Sequence, residues 1–260
     1  MRSGLSQKKL YLSLDRVFSL EPDDAAHVGQ RGHDRSSHGG SIDRNLACFF
    51  LSEILRVEAN PEVTVVELGA GRGDFTITAC ALLRADQNLV TVERDGGRFQ
   101  RLNYWASQAG ALISSNTWLF ESRGSVPNVL KGDFARDTIP ELDGVLSGGR
   151  CFIYCNNADG VWTNDLGKRG TTQSMMEQRL RVCRVGTVLL SFDKCFLDDT
   201  TWEEERYVSY VPYGHISWKV GSGDVYFYKY TKMEAAAGDA TRAIRSLREN
   251  HSRTRVFFRD

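Results

Sequence analysis

Runs of β-branched and other apolar residues alternate with segments whose apolar residues recur at helical spacing through the middle of the chain. The runs, typical of strands buried on both faces, cover residues 63–68, 88–93, 126–130, 151–155 and 186–192. The helical segments cover residues 75–83 and 98–111, and a further helix, rich in polar residues, is predicted somewhere between 162 and 180. Strands that alternate with helices in this way predict βαβ units and a mostly parallel sheet.

The two ends of the chain have other patterns. Residues 1–40 are glycine- and serine-rich in part and predict a loop, whereas a helical face begins at Asp43 and includes Leu46, Phe50 and Ile54. Residues 137–150 contain turn formers and only fragments of a helical pattern. Short aromatic runs parted by glycine- and proline-containing turns, which predict an antiparallel edge, occupy residues 207–211, 215–220 and 224–230.

Composition and charge exclude several classes of protein. The chain of 260 residues is 41% hydrophobic and has 33 basic and 33 acidic residues, so it can bury a full core and has no net charge to coat nucleic acid. Its six cysteines are scattered without a CxxC pair, which predicts reduced core residues and no metal. We find neither a membrane-spanning run nor a signal-peptide pattern, and expect a protein of the cytoplasm or nucleus.

The segment VELGAGRGDFT, which follows the first predicted strand, is typical of a cofactor-binding turn. Gly69, Gly71 and Gly73 allow the backbone to turn sharply and to approach a ligand. Such a turn serves nicotinamide, flavin, nucleotide and S-adenosylmethionine enzymes alike. A nicotinamide fingerprint would require its last glycine where Asp74 stands. The GxGxG form with Glu67 ahead of it is instead usual in class I S-adenosylmethionine-dependent methyltransferases, where a carboxylate suits the α-ammonium of the cofactor.

Polar residues at the ends of the later strands support this interpretation. Glu93 ends the second strand about 20 residues after the glycines, the spacing at which a carboxylate binds ribose hydroxyls. Asp133 and Phe134 follow the third strand, where an acid can accept the adenine amino group and an aromatic ring can cover the base. Asn156 and Asn157 follow the fourth strand. Because ligands bind beyond the carboxyl ends of strands in such sheets, these groups predict one methyl-donor site.

From about residue 38 to about residue 232, the sequence resembles the disruptor-of-telomeric-silencing (Dot-one) family of non-SET histone H3 lysine methyltransferases. The segments that carry the resemblance are HGGSIDRNLACFFLSEI, VVELGAGRGDF, TVERD, LKGDF, FIYCNNADG, GTVLLSFDKCF and HISWKVGSGDVYFYKYT. The resemblance implies an α/β fold of the class I (Rossmann-like) type, with a mostly parallel sheet and an antiparallel C-terminal edge. The expected division is an N-terminal segment over the site (residues 1–60), a methyltransferase domain (61–232) and a basic tail (233–260).

The resemblance also implies roles for particular residues. The cofactor S-adenosylmethionine, which leaves as S-adenosylhomocysteine, would contact Ser41, Glu67, Gly69, Gly71, Gly73, Glu93, Asp133, Phe134 and Asn156. The catalytic candidates are Asn156, which would orient the amine, and the aromatic residues Tyr154, Trp218 and Phe227 of a lysine tunnel. Tyr226 and Tyr228 are alternatives to Phe227. The chain departs from the family at three positions. Gly40 stands where the family has an acid, Asp74 where it often has a glutamine, and Ala158 where it usually has a phenylalanine.

The implied substrate is a lysine in the folded core of histone H3 on the nucleosome, and the implied location is the nucleus, with roles in telomere silencing and the cell cycle. We expect a monomer that meets nucleosomal DNA and other histone surfaces through basic segments. These segments are the arginine-rich residues 241–260, Lys8 and Lys9, and the loop around Arg31 and Arg35. Alternatives are a class I methyltransferase for another protein or a small molecule, and a non-catalytic nucleosome-binding module of the same fold.

Overall fold

The computed structural model describes most of the predicted domain. The described residues are 42, 44–71, 73–115, 124–155, 171–192, 195, 196, 199, 201–211 and 223–234. Side chains of 44, 45, 171–173, 208–211 and 223–225 are not among the described groups. The predicted loop at 1–40, the predicted strand at 215–220 and the basic tail at 241–260 lie outside these ranges, and the three-part division of the chain stays a prediction.

Seven strands form one mixed sheet. They are β1 (Thr64–Leu68), β2 (Leu89–Glu93), β3 (Asn128–Lys131), β4 (Cys151–Cys155), β5 (Val188–Ser191), β6 (Trp202–Val211) and β7 (Gly223–Lys232). Their order is β3-β2-β1-β4-β5-β7-β6. The first five strands pair in parallel, and β7 pairs antiparallel with both β5 and β6. The predicted α/β class and antiparallel C-terminal edge are confirmed.

Helices cover both faces of the sheet. They are α1 (Arg44–Phe49), α2 (Asp74–Leu82), α3 (Gly96–Ser115), α4 (Pro140–Gly148) and α5 (Thr171–Leu180). A π-helical turn, Phe50–Ile54, continues α1, and a 3-10 turn, Val57–Ala59, precedes β1. Helices α1, α2 and α3 pack on one face around Val65 of β1, and α4 and α5 pack on the other around Val66. Burial on both faces explains why the central strands are continuous apolar runs.

The structure corrects two sequence predictions. Residues 140–148 form α4 and not merely fragments of a helix, because Leu142 and Leu146 lie one turn apart and are both fully buried. β6 begins at Trp202, five residues before the predicted start, and pairs with β7 over ten residues. Its acidic residues Glu203, Glu204 and Glu205 concealed it, since glutamate is depleted in strands. β6 lies at the edge of the described sheet.

The cysteines are as expected from the sequence. All six are free thiols, and all except the half-buried Cys48 are buried. Among the described residues, no group of three or more histidine, cysteine or acidic side chains is placed to hold a metal ion. No helix in the same ranges is long and apolar enough to cross a membrane.

Candidate active site

The glycine turn after β1 lies where the order of the sheet changes direction. Gly69, Gly71 and Gly73 have φ angles of 80°, 56° and 85°, which a residue with a Cβ adopts only with strain. The amide groups of Gly69 and Ala70 both donate to the Val92 carbonyl, at 2.9 and 3.0 Å. The turn is therefore fixed to β2 through its backbone, and its shape depends on the glycines.

Space around the three glycines differs. A Cβ on Gly73 would lie 2.6 Å from Leu102 Cδ2, so a larger residue at this position would require the Leu102 side chain of α3 to move. A Cβ on Gly71 would meet no described atom within 4 Å. Of the three glycines, Gly71 is thus the one where a ligand could approach the backbone without meeting a described residue.

Glu93, at the end of β2, is bound to the same turn. One carboxylate oxygen accepts a hydrogen bond from the Gly71 amide at 2.7 Å, and the other accepts one from the Asp95 amide at 2.8 Å. The residue is 5% exposed. Each carboxylate oxygen has a second lone pair, so the group can still accept a hydroxyl from a ligand. The structure therefore brings the predicted ribose residue next to Gly71.

The loop after β3 places Asp133 and Phe134 beside the turn. Asp133 accepts hydrogen bonds from the Ala135 amide at 3.0 Å and from Arg94 Nη1 at 3.2 Å. Phe134 lies against the first glycine, since a Cβ on Gly69 would be 3.4 Å from the edge of its ring. Both residues are buried. The Arg94 contact, absent from the sequence prediction, occupies part of the carboxylate that was expected to accept the adenine amino group.

Glu67, near the end of β1, is a buried acid within the sheet. Its carboxylate accepts a hydrogen bond from the hydroxyl of Thr76 in α2, which also bonds the hydroxyl of Thr91 in β2 at 2.8 Å. Burial raises the pKa of Glu67 to about 8, although the Thr76 hydrogen bond opposes the shift; Asp74 and Glu93 raise it further. Removing a carboxylate from water favours its neutral form. A cationic ligand next to Glu67 would therefore stabilise the ionised form of its carboxyl group.

Tyr154 of β4 lies beside Glu67, because the two residues are paired across the sheet. Its ring stacks on Phe75 at 4.3 Å between centroids. Its hydroxyl is buried and has no hydrogen-bond partner among the described residues. Burial and the neighbouring Glu67 raise the pKa of this hydroxyl well above its ordinary value. A buried hydroxyl without a partner is costly, so this hydroxyl is expected to have a polar partner beyond the described residues.

The two described members of the predicted tunnel belong to one aromatic cluster. Phe50, in the π-helical turn, lies between Tyr154 and Phe227, with centroid distances of 6.0 and 5.1 Å. Phe192 and Tyr207 complete the cluster. Phe50 is fully buried and Phe227 is 2% exposed. The structure thus joins the two predicted residues through Phe50, a residue that sequence reasoning assigned only to a helical face.

Other predicted residues lie outside the described ranges. They are Ser41, Asn156 and Trp218, with Gly40 and Ala158 among the departures from the family. Tyr226, an alternative to Phe227, is 45% exposed on the opposite side of β7 and stacks under Arg206 at 4.3 Å. Thr76 and Phe75 were missed as site residues. The one feature of the sequence that could have indicated them is their position, since both lie in the first turn of α2, which directly follows the glycine turn.

The sheet combines a reversal of strand order at β1 and β4 with a single antiparallel strand, β7, inserted between β5 and β6. The described sheet therefore has the α/β architecture, mostly parallel with an antiparallel C-terminal edge, that the sequence predicted. No family model and no curated protein matches the sequence.

Two solved structures resemble the chain at low identity. One is a putative O-methyltransferase from Klebsiella pneumoniae, with 17% identity, 85% of this chain and 90% of the other covered, and a TM-score of 0.41. The other is precorrin-6y C5,15-methyltransferase from Geobacter metallireducens, with 14% identity, 73% and 86% covered, and a TM-score of 0.43.

Proposed function

We propose that this protein is an S-adenosylmethionine-dependent methyltransferase. The observation that carries the proposal is the meeting of the glycine turn with three buried carboxylates, Glu67, Glu93 and Asp133, at the carboxyl edge of β1, β2 and β3. Ligands of open α/β sheets bind at this edge. Acids here suit a ligand that brings an ammonium group, two ribose hydroxyls and an adenine amino group.

The residues present fit that cofactor. No described atom would contact a Cβ on Gly71, and the Tyr154 hydroxyl, which has no partner among the described residues, would offer a polar group to the methionine part together with Glu67. Glu93 would accept the ribose hydroxyls, and Phe134 would cover the adenine. When bound, S-adenosylmethionine supplies a methyl group on a positively charged sulfur.

The chain's own contribution to transfer is positioning and exclusion of water. The aromatic cluster around Tyr154 provides an apolar wall beside the cofactor site. Such a wall disfavours the charged form of an acceptor amine, because the amine is removed from water. The faces of its aromatic rings stabilise the sulfonium of the donor and the methylated ammonium of the product through cation–π contact. Holding acceptor and donor in line accounts for much of the rate of such a reaction. Asn156, which directly follows β4, would orient the acceptor.

For the acceptor, the sequence resemblance supports a lysine in the folded core of histone H3 on the nucleosome. This proposal includes a nuclear location and contact with nucleosomal DNA through basic segments. The alternative is a class I methyltransferase that acts on another protein or on a small molecule, and the fold and site described are compatible with it.

The first experiment is S-adenosylmethionine binding by calorimetry, with NAD as the competing cofactor. We expect binding of the former alone, with a loss of at least about tenfold in Glu93→Ala and no loss in Glu203→Ala, an exposed acid of β6. An unchanged affinity in Glu93→Ala would refute the site. A wild-type protein that binds no S-adenosylmethionine would favour a non-catalytic module.

The second experiment separates the acceptors. Recombinant nucleosomes, free histones and a metabolite mixture are incubated with the protein and labelled S-adenosylmethionine, and the products are located by mass spectrometry. Methyl-lysine in the core of nucleosomal H3, lost in Asn156→Ala, supports the histone proposal. Label in a metabolite or another protein, with none in H3, refutes it and supports the alternative.

A further inference from the structure

The loop that carries Asp133 and Phe134 is held by an arginine from a distant helix. Arg179, in the last turn of α5, donates from Nη1 to the Phe134 carbonyl at 2.6 Å. Its Nε and Nη2 donate to the two carboxylate oxygens of Asp143 in α4, at 2.8 and 3.1 Å. The Arg179 side chain is 11% exposed. One guanidinium therefore joins α5, α4 and the loop after β3.

The geometry of this contact is restrictive. A bidentate pair fixes the plane of the guanidinium, and its third interaction then fixes the position of one carbonyl. That carbonyl belongs to Phe134, whose ring packs against Gly69. Asp133 directly precedes Phe134, so displacement of Phe134 would also disturb Asp133, whose amide donates to Asp137 at 2.7 Å.

A second arginine contacts the same loop more weakly. Arg94 reaches the Asp133 carboxylate at 3.2 Å, and its side chain is 42% exposed. Water screens both ion pairs, since Asp143 is also 42% exposed, but Arg179 is itself nearly buried and donates in addition to a main-chain carbonyl of the loop. Loss of Arg179 should therefore affect the loop more than loss of Arg94.

We propose that Arg179 is a positioning residue of the cofactor site, which sets the place of Phe134 and Asp133 and so determines recognition of the adenine base. This inference rests on the proposed S-adenosylmethionine function. Arg179 would touch neither cofactor nor acceptor and would act through the Phe134 carbonyl. Its replacement should change how tightly, and how selectively, the base is bound, and should change the chemical step little.

The test compares Arg179→Gln and Arg179→Lys with Arg184→Gln. The control is matched, since Arg184 also contacts α4, donating to the Ser147 carbonyl at 3.0 Å, but is exposed. Affinities for S-adenosylhomocysteine and for S-inosylhomocysteine, which lacks the adenine amino group, are measured by calorimetry. The KM for S-adenosylmethionine and kcat are measured on the acceptor found above.

We expect Arg179→Gln to weaken S-adenosylhomocysteine binding about tenfold, or about 1.4 kcal/mol at 25 °C, and to reduce discrimination against the inosyl analogue. In Arg179→Gln, the KM for S-adenosylmethionine should rise while kcat changes little. Arg179→Lys should have values between those of Arg179→Gln and wild type, and Arg184→Gln should match wild type. Should Arg179→Gln not fold, Asp143→Asn tests the same contact, with a smaller loss in the same direction.

Unchanged affinity and discrimination in a folded Arg179→Gln protein, or a fall in thermal stability alone, would overturn the inference and leave the proposed function standing. A wild-type protein that binds neither S-adenosylmethionine nor S-adenosylhomocysteine would refute both.

Discussion

Replacement of Glu67 by glutamine should remove a pH dependence of stability that the wild-type protein has. The native carboxyl has a pKa of about 8, against an ordinary value of 4.5 in the unfolded chain. Between these values the native state binds a proton that the unfolded state has lost. This contribution is fully present below pH 4.5 and is lost as the pH rises through 8.

The magnitude follows from the pKa difference. A native state that binds one extra proton loses about 1.4 kcal/mol of stability for each pH unit. From the ordinary value of 4.5 to the native value of about 8, the loss is on the order of 5 kcal/mol. Glutamine has nearly the same shape, can still accept the Thr76 hydroxyl and does not titrate, so the variant should not show this loss.

The assay is urea denaturation at pH 5, 6, 7, 8 and 9. At pH 5, the free energy of unfolding of Glu67→Gln should be close to that of wild type. As the pH rises to 8, the free energy of unfolding of Glu67→Gln should exceed that of wild type by a growing amount. Glu203→Gln is the control, because that acid is exposed on β6. Wild-type and Glu67→Gln curves that run parallel from pH 5 to pH 9 would refute the reasoning. Saturating S-adenosylmethionine should flatten the wild-type curve, because an ammonium beside Glu67 favours the carboxylate.

Three further predictions concern the turn and the aromatic cluster. Gly73→Ala should lower the free energy of unfolding more than Gly71→Ala, by denaturant titration, because a methyl group at 73 meets Leu102 whereas one at 71 meets only the strain of positive φ, about 1 kcal/mol; equal losses would contradict this. Tyr154→Phe should unfold at an equal or higher urea concentration, since it removes a buried hydroxyl that has no described partner; a marked loss would show that the hydroxyl is satisfied. Phe50→Ala should cost about 3 to 5 kcal/mol by the same titration, because Phe50 is fully buried; a loss below 1 kcal/mol would show that the cluster repacks.

Local patterns predicted well which residues lie at the carboxyl ends of β1, β2 and β3. The β-branched run before Gly69 and the acid Glu93 ending the next run are features of consecutive residues, and parallel pairing then brings their ends together. For the same reason, Asp133 could be placed at this edge before its contacts were known. The predicted α3, β4 and α5 also agree with the structure, because each has a continuous pattern of one period.

Contacts between distant segments could not be predicted. Arg179 and Phe134 are 45 residues apart, and nothing in the sequence near either residue indicates their hydrogen bond. Phe50 reads as one apolar position of a helix, and only the packing of α1 on the sheet places it between Tyr154 and Phe227. The helix α4 contains Gly144 and Gly148, whose low helix propensity is offset by the burial of Leu142 and Leu146. In each case tertiary contacts determine the outcome.

The three consecutive glutamates of β6 have a consequence for solubility. Among the described strands, β6 has no neighbour on its outer side, and an edge strand of ten residues can offer backbone groups to a strand of another molecule. Glu203 is exposed there, and Glu205 is held by Lys229 at 3.0 Å. Negative charges at such an edge repel the same edge of a second copy and so oppose self-association. The same glutamates that make this strand hard to recognise in the sequence therefore oppose pairing of its edge with a second copy of the protein.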